Sequence, residues 1–193
     1  MASMPFARRL RDRIVASRAG RLWASLRNLG SGRLEVPTGL LRRNLFRACG
    51  VRDGCMMLER GCIALDATLA DGRALRVRIA PLALRAAPRG ACELVVRVDP
   101  PEHVSSDVGQ ALVTAFADVL ARRLWALPQE DPPPQPVPFA RERDAVRIDL
   151  RDVPELRRAM STPWRRRWMD AVQPLGLRVE PECVVIDLEL RSG

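Results

Sequence analysis

The chain has no lysine, no tyrosine and a single histidine, His103. Its aromatic side chains number only four phenylalanines and four tryptophans in 193 residues. Each shortage narrows the field. One histidine and five scattered cysteines, none in Cys-x-x-Cys spacing, leave a structural zinc site without its ligands. Few stacking rings mean that the chain can grip a nucleic-acid backbone but has little with which to read bases. No apolar run approaches a membrane span. The leading residues lack the apolar stretch of a secretory signal; they are rich in arginine, contain serine and are poor in acids, which is also transit-peptide chemistry, ranked here below a functional arm. The GxSxG, Walker and dinucleotide patterns are all missing. His103 has no serine or cysteine placed to make a nucleophilic motif, and Ser105 and Ser106 read as helix caps. The expectation is a non-enzymatic protein that needs no cofactor and no metal.

All 32 basic residues are arginine. GC-rich coding of bacterial type produces that bias, so it is no functional signal in itself. Its physical consequence stands, because guanidinium groups bind carboxylate and phosphate in a bidentate way.

Charge is distributed unevenly. The first fifty residues hold eleven arginines against two acids, Asp12 and Glu35, and the remainder is balanced, so the whole +9 lies at one end. A neutral body with one basic end meets anionic surfaces end-first. Residues 5–29 read as a helix, with Val15, Ala19, Leu22, Leu26 and Leu29 as one apolar stripe and Phe6, Leu10 and Ile14 as a second. The arginines spread around the rest. Arg8, Arg9, Arg11, Arg13, Arg18 and Arg21 are the candidate contacts to an anionic surface. Arg165-Arg166-Arg167, between Trp164 and Trp168, form a second basic cluster that reads as a solvated helix face.

Residues 1–32 are therefore expected to be a basic helical arm and 33–193 a single α+β domain. Thr38 is expected to cap a short helix through Arg47, ended by Gly50. From residue 55 the pattern turns to period two. Strands are expected at 62–69, 73–79 and 94–98, with a two-residue hairpin at Asp71-Gly72 and a bulge or edge position at Pro81. A helix is expected over 106–127, with Val108, Leu112, Ala115, Phe116, Val119 and Leu124 inward. Residues 128–138 hold six prolines and read as a stiff exposed connector. Beyond it come a strand at 146–150, a helix opened by Asp152-Val153-Pro154-Glu155, and a helix with Trp164, Trp168 and Val172 on one face. Strands at 177–180 and 183–190 close the chain. The fold expectation is a mainly antiparallel, curved sheet packed on helices. Arg76, Arg78, Arg97, Arg147, Asp66, Asp149 and Asp187 fall on the outward strand faces, where opposite charges pair. That face is open to water or to a partner, a second copy of the chain included. The cysteines read as buried free thiols in a reducing compartment. Glu59–Leu69 echoes Glu180–Leu190, with Glu, Cys, Asp and the last Leu identical.

Three short stretches carry a family likeness: Arg60-Gly61-Cys62-Ile63-Ala64-Leu65, Arg76-Val77-Arg78-Ile79-Ala80-Pro81, and the closing pair around Glu180-Pro181-Glu182. In these the chain resembles bacterial tubular lipid-binding proteins. The resemblance implies a long bent sheet wrapped on a helix to hold a lipid tail. The missing secretory signal departs from the family's cell-envelope location, and the expected location is cytoplasmic, peripheral at a membrane. Function is expected to be lipid or anionic membrane-surface binding, through an apolar pocket between the sheet and the 106–127 helix and through the arginine arm. Clamping of a nucleic-acid backbone, or an assembly role, is the alternative for the same arm.

Overall fold

Alternating burial organises the structure, a computed structural model that describes residues 32–86, 92–125, 127, 135–142, 144–159, 161, 163 and 171–190. The expected helix at 5–29 and the Trp164–Trp168 cluster lie outside the described residues. Among the described residues nine strands and three α-helices follow in the order β1 (Arg33–Pro37), α1 (Thr38–Cys49), β2 (Val51–Glu59), β3 (Cys62–Leu69), β4 (Ala74–Ala86), β5 (Cys92–Asp99), α2 (Asp107–Leu124), β6 (Ala140–Glu142), β7 (Ala145–Asp149), α3 (Pro154–Ala159), β8 (Val172–Val179) and β9 (Cys183–Leu190). The fold is α+β. An open, curved antiparallel sheet has the order β2-β3-β4-β5-β7-β6, and a smaller sheet the order β1-β9-β8.

Period-two sequence makes the large sheet two-faced. Its inward rows cross the strands in register, Ile63 beside Ile79 beside Val98, and Leu84 beside Leu94 beside Ile148. All six are essentially dry. They belong to one continuous core shared with β1, β9, α1 and α2. Outward, Arg76 pairs with Asp66, Arg85 and Arg147 with Glu93, Arg147 with Glu142 and Arg97 with Asp144. Cross-strand pairing is thus what Asp66, Arg76 and Arg147 do, while Arg97 reaches Asp144 in a turn and Asp149 accepts from backbone amides.

Several expectations are corrected by local geometry. Thr38 is the first helical residue and Pro37 the cap; the Thr38 hydroxyl donates to the Glu182 carbonyl and its amide does so at 3.2 Å. Gly50 does end α1, in the left-handed region. The β3–β4 hairpin has a three-residue loop: Gly72 N–H bonds the Leu69 carbonyl at 3.0 Å, and Gly72 takes φ 85°. β4 runs through Pro81 by a bulge, because the β3 ladder has already ended at Ile79. Helix α2 stops at Leu124. The proline-rich connector does not stay exposed to its end, since Val137 is buried and its N–H reaches Thr114 Oγ1 at 3.4 Å. Val172 opens β8 and is not helical, so that strand starts five residues before the expected one. Strand β1 was not anticipated; Leu34 and Val36 enter the core from it. The cysteines are free, but only Cys49 and Cys92 are buried, Cys55 is exposed and the other two are intermediate.

Candidate functional site

The described residues hold nineteen arginines and nineteen acids. Thirteen arginines and four acids fall outside them, which is the whole excess of +9. The candidate contacts Arg8, Arg9, Arg11, Arg13, Arg18 and Arg21 are all in this outside set. Many of the body's own arginines are engaged within the fold. Besides the sheet pairs above, Arg33 binds Glu180 at 2.9 Å, Arg178 binds Asp187 at 2.9 Å, and Arg73 binds Asp71 at 2.6 Å. Others serve backbone carbonyls: Arg123 donates to Glu35 O at 3.0 Å and Arg141 to Pro101 O at 3.1 Å. Burial draws the Arg123 guanidinium below its ordinary value, against the opposing pull of Glu35. Asp71 is held below the usual carboxylate range by hydrogen bonds from the Arg73 backbone and side chain.

A second feature was not anticipated from the sequence. Thr114, Asp118 and Arg122 sit four residues apart on α2, and all three are buried. Arg122 Nε donates to Asp118 Oδ1 at 2.9 Å and to Oδ2 at 2.8 Å. Asp118 and Arg122 also engage further partners. The α2 expectation of a single inward stripe therefore needs revision, because from Leu112 to Arg122 every residue is buried. The 4-residue spacing was visible in the sequence, but a pair of this kind looks the same on a solvated face. Only the cover on both sides of α2 makes it a dry polar seam.

The remaining sequence candidates have structural duties. Ser106 Oγ caps α2 by accepting from Gly109 N–H at 3.1 Å and donates to the His103 carbonyl at 2.7 Å. Asp149 Oδ1 accepts from the Cys92 and Arg151 amides at 3.1 and 3.0 Å. Among the described residues no group of three His, Cys, Asp or Glu side chains is placed to hold a metal, and no helix is long and apolar enough to cross a membrane.

Thiol chemistry separates the cysteines. Burial pushes Cys49 and Cys92 up to about 12, with Asp149 adding to the effect at Cys92. Burial also raises Cys62, helped by Glu59, and Cys183, helped by Glu35 and Glu180. In the native protein a disulfide reagent should therefore titrate Cys55 fast, Cys62 and Cys183 slowly, and Cys49 and Cys92 only after unfolding. Fast reaction of all five would contradict this burial. An unfolded chain ionises these thiols near 9.0 while folded Cys49 and Cys92 hold their protons to about 12, so stability falls as pH rises across that interval.

Comparison with family models, with curated proteins and with solved structures returns no match to this chain.

Proposed function

We propose that this protein binds anionic lipid surfaces without catalysis, using the arginine-rich leading segment as its contact. The observation that carries the reading is the charge balance: the described body is neutral, so the excess of +9 lies on residues outside it, most of it in the leading segment. A carboxylate already bound to its own arginine competes weakly for another. Each arginine brought to an anionic leaflet contributes about 1 kcal/mol, and six act together. Contact at the headgroup requires no rearrangement of the body. A lipid tail would have to part side chains such as Leu94, Val96, Phe116 and Leu120, which are completely buried. The headgroup is therefore the part of the lipid on which the proposal rests. Likeness to tubular lipid-binding proteins supports the same class of ligand.

The test keeps the full chain and exchanges Arg8, Arg9, Arg11, Arg13, Arg18 and Arg21 for glutamine. Flotation with phosphatidylserine-containing vesicles should recover the unsubstituted protein, and recovery should fall by a factor on the order of 100 or more in the variant. Equal recovery of both proteins defeats the proposal. Failure of both to float, together with a gel shift of mixed-sequence nucleic acid that fades steeply with salt, moves the arm to the backbone-clamping role.

A further inference from the structure

Two segments of this chain share the pattern Pro-Leu-small-Leu-Arg: Pro81-Leu82-Ala83-Leu84-Arg85 in β4 and Pro174-Leu175-Gly176-Leu177-Arg178 in β8. In both, the register with the neighbouring strand shifts between the proline and the small residue. The first leucine of each is thus the extra residue of a bulge, a device that re-aims a side chain. The outcome is the same at both places. Leu82 is 51% exposed and Leu175 62%, two of the three large apolar side chains left in water among the described residues. The second leucine turns inward: Leu84 is buried and Leu177 packs on the core. The arginine is fixed along one edge by an acid of the adjacent strand, Arg85 by Glu93 and Arg178 by Asp187.

The two bulges belong to one region of the surface. β4 and β8 lie against each other. Carrying the β3–β4 register two residues past Ile63 and Ile79 sets Gly61 level with Pro81. Gly61 N–H donates to the Val179 carbonyl at 3.4 Å, which brings the end of β8 to the Leu82 bulge. Leu175 lies four residues earlier, about 13 Å along the strand.

Scattered exposed leucines need no explanation. Two produced by the same five-residue pattern, on adjoining strands and each followed three residues later by a half-exposed arginine, do. Resting on the anionic-surface reading above, we propose that Leu82 and Leu175 insert into the boundary between lipid headgroups and acyl chains. Two isolated tips suit this medium. They offer far less than the roughly 1,200 Å² that a stable protein interface buries, whereas shallow insertion beside an arm already held at the surface needs only apolar tips. Arg85 and Arg178 stay bound to Glu93 and Asp187 of the body, and Glu180 lies 4.0 Å from Arg178 Nη1.

The experiment uses the full chain, phosphatidylserine-containing vesicles, and low and high salt. High salt screens the leading arginines and leaves insertion. At high salt, L82S/L175S should be retained about tenfold less than the unsubstituted protein, while the two match at low salt. L82W/L175W should be retained more strongly, with indole emission shifting to the blue as vesicles are added; this variant decides the matter should the serine variant fold poorly. Equal retention of all three proteins at both salts overturns the insertion and leaves the surface reading standing. No retention of the unsubstituted protein at either salt overturns both. A serine variant that changes only self-association in light scattering assigns the leucines to a second copy of the chain and overturns the insertion as well.

Discussion

Gly109→Ala should lose about 3 kcal/mol or more of stability, against the rule that alanine improves a helix by about 1 kcal/mol over glycine. Gly109 is the third residue of α2, and its position is set by the 3₁₀ turn Pro101–Ser105 that precedes the helix. A methyl group there would lie 1.7 Å from the His103 carbonyl oxygen and 2.5 Å from its carbon. Both are backbone atoms, so no side chain can swing aside. That carbonyl is also the acceptor for the Ser106 amide at 3.0 Å and its hydroxyl at 2.7 Å, and the same hydroxyl caps Gly109. Moving the carbonyl to admit the methyl would therefore break the cap that starts α2. Ser106→Ala is the control, because it removes the cap without the clash and should cost about 1 kcal/mol. Urea unfolding of the two variants checks the order. An alanine variant as stable as the unsubstituted protein would mean that the turn does not pack on α2 in this way.

Much of the architecture could be read from the residues, and the reasons are local. Strand β3 announces itself because Ile63, Leu65, Ala67 and Leu69 alternate without interruption, and burial follows that alternation. Period two decides which face of a strand is dry, and the strands expected at 62–69, 73–79 and 94–98 are neighbours in the sheet as β3, β4 and β5. Gly50 and Ser106 mark helix ends through chemistry that acts within one turn. What stayed hidden depends on distant cover. Arg33–Pro37 is too short for a period to show, and it becomes β1 because β9 supplies its ladder. Val172 continues the apolar spacing of the tryptophans before it, yet its partner is Leu190, across β9.

The candidate site divides along the same line. Charge asymmetry is a property of the sequence and needed no coordinates. That an arginine of the body finds its partner within the fold could be foreseen on the sheet face, where Asp66 and Arg76 stand opposite each other, but not for Arg123, whose carbonyl acceptor lies 88 residues away. The Pro-Leu-small-Leu-Arg repeat is plain as a string of letters. It acquires a physical meaning only when both copies turn out to be bulges, because an unbroken strand would have left proline and leucine on opposite faces with no residue extruded.

The seam on α2 makes the sharpest energetic prediction. A buried ion pair is poor evidence of net stabilisation, since desolvation offsets most of the attraction, but removing one partner takes from the other an opposite charge that it is bonded to in a dry interior. Asp118 and Arg122 are 5% and 4% exposed, and Nε contacts both carboxylate oxygens within 3 Å. Asp118→Ala and Arg122→Ala should each lose about 3–5 kcal/mol, enough to unfold a marginal domain at physiological temperature. The double variant leaves neither charge stranded by the other, so its loss should be smaller than the sum of the singles by about 2 kcal/mol. Chemical unfolding of the four proteins, taken as a thermodynamic cycle, measures that coupling. A coupling near zero would show that each charge is satisfied elsewhere, and that its contact with the other is incidental to the fold. A large coupling would mean that the pair fixes how α2 is rotated against its cover, since any other rotation would bury the two charges apart.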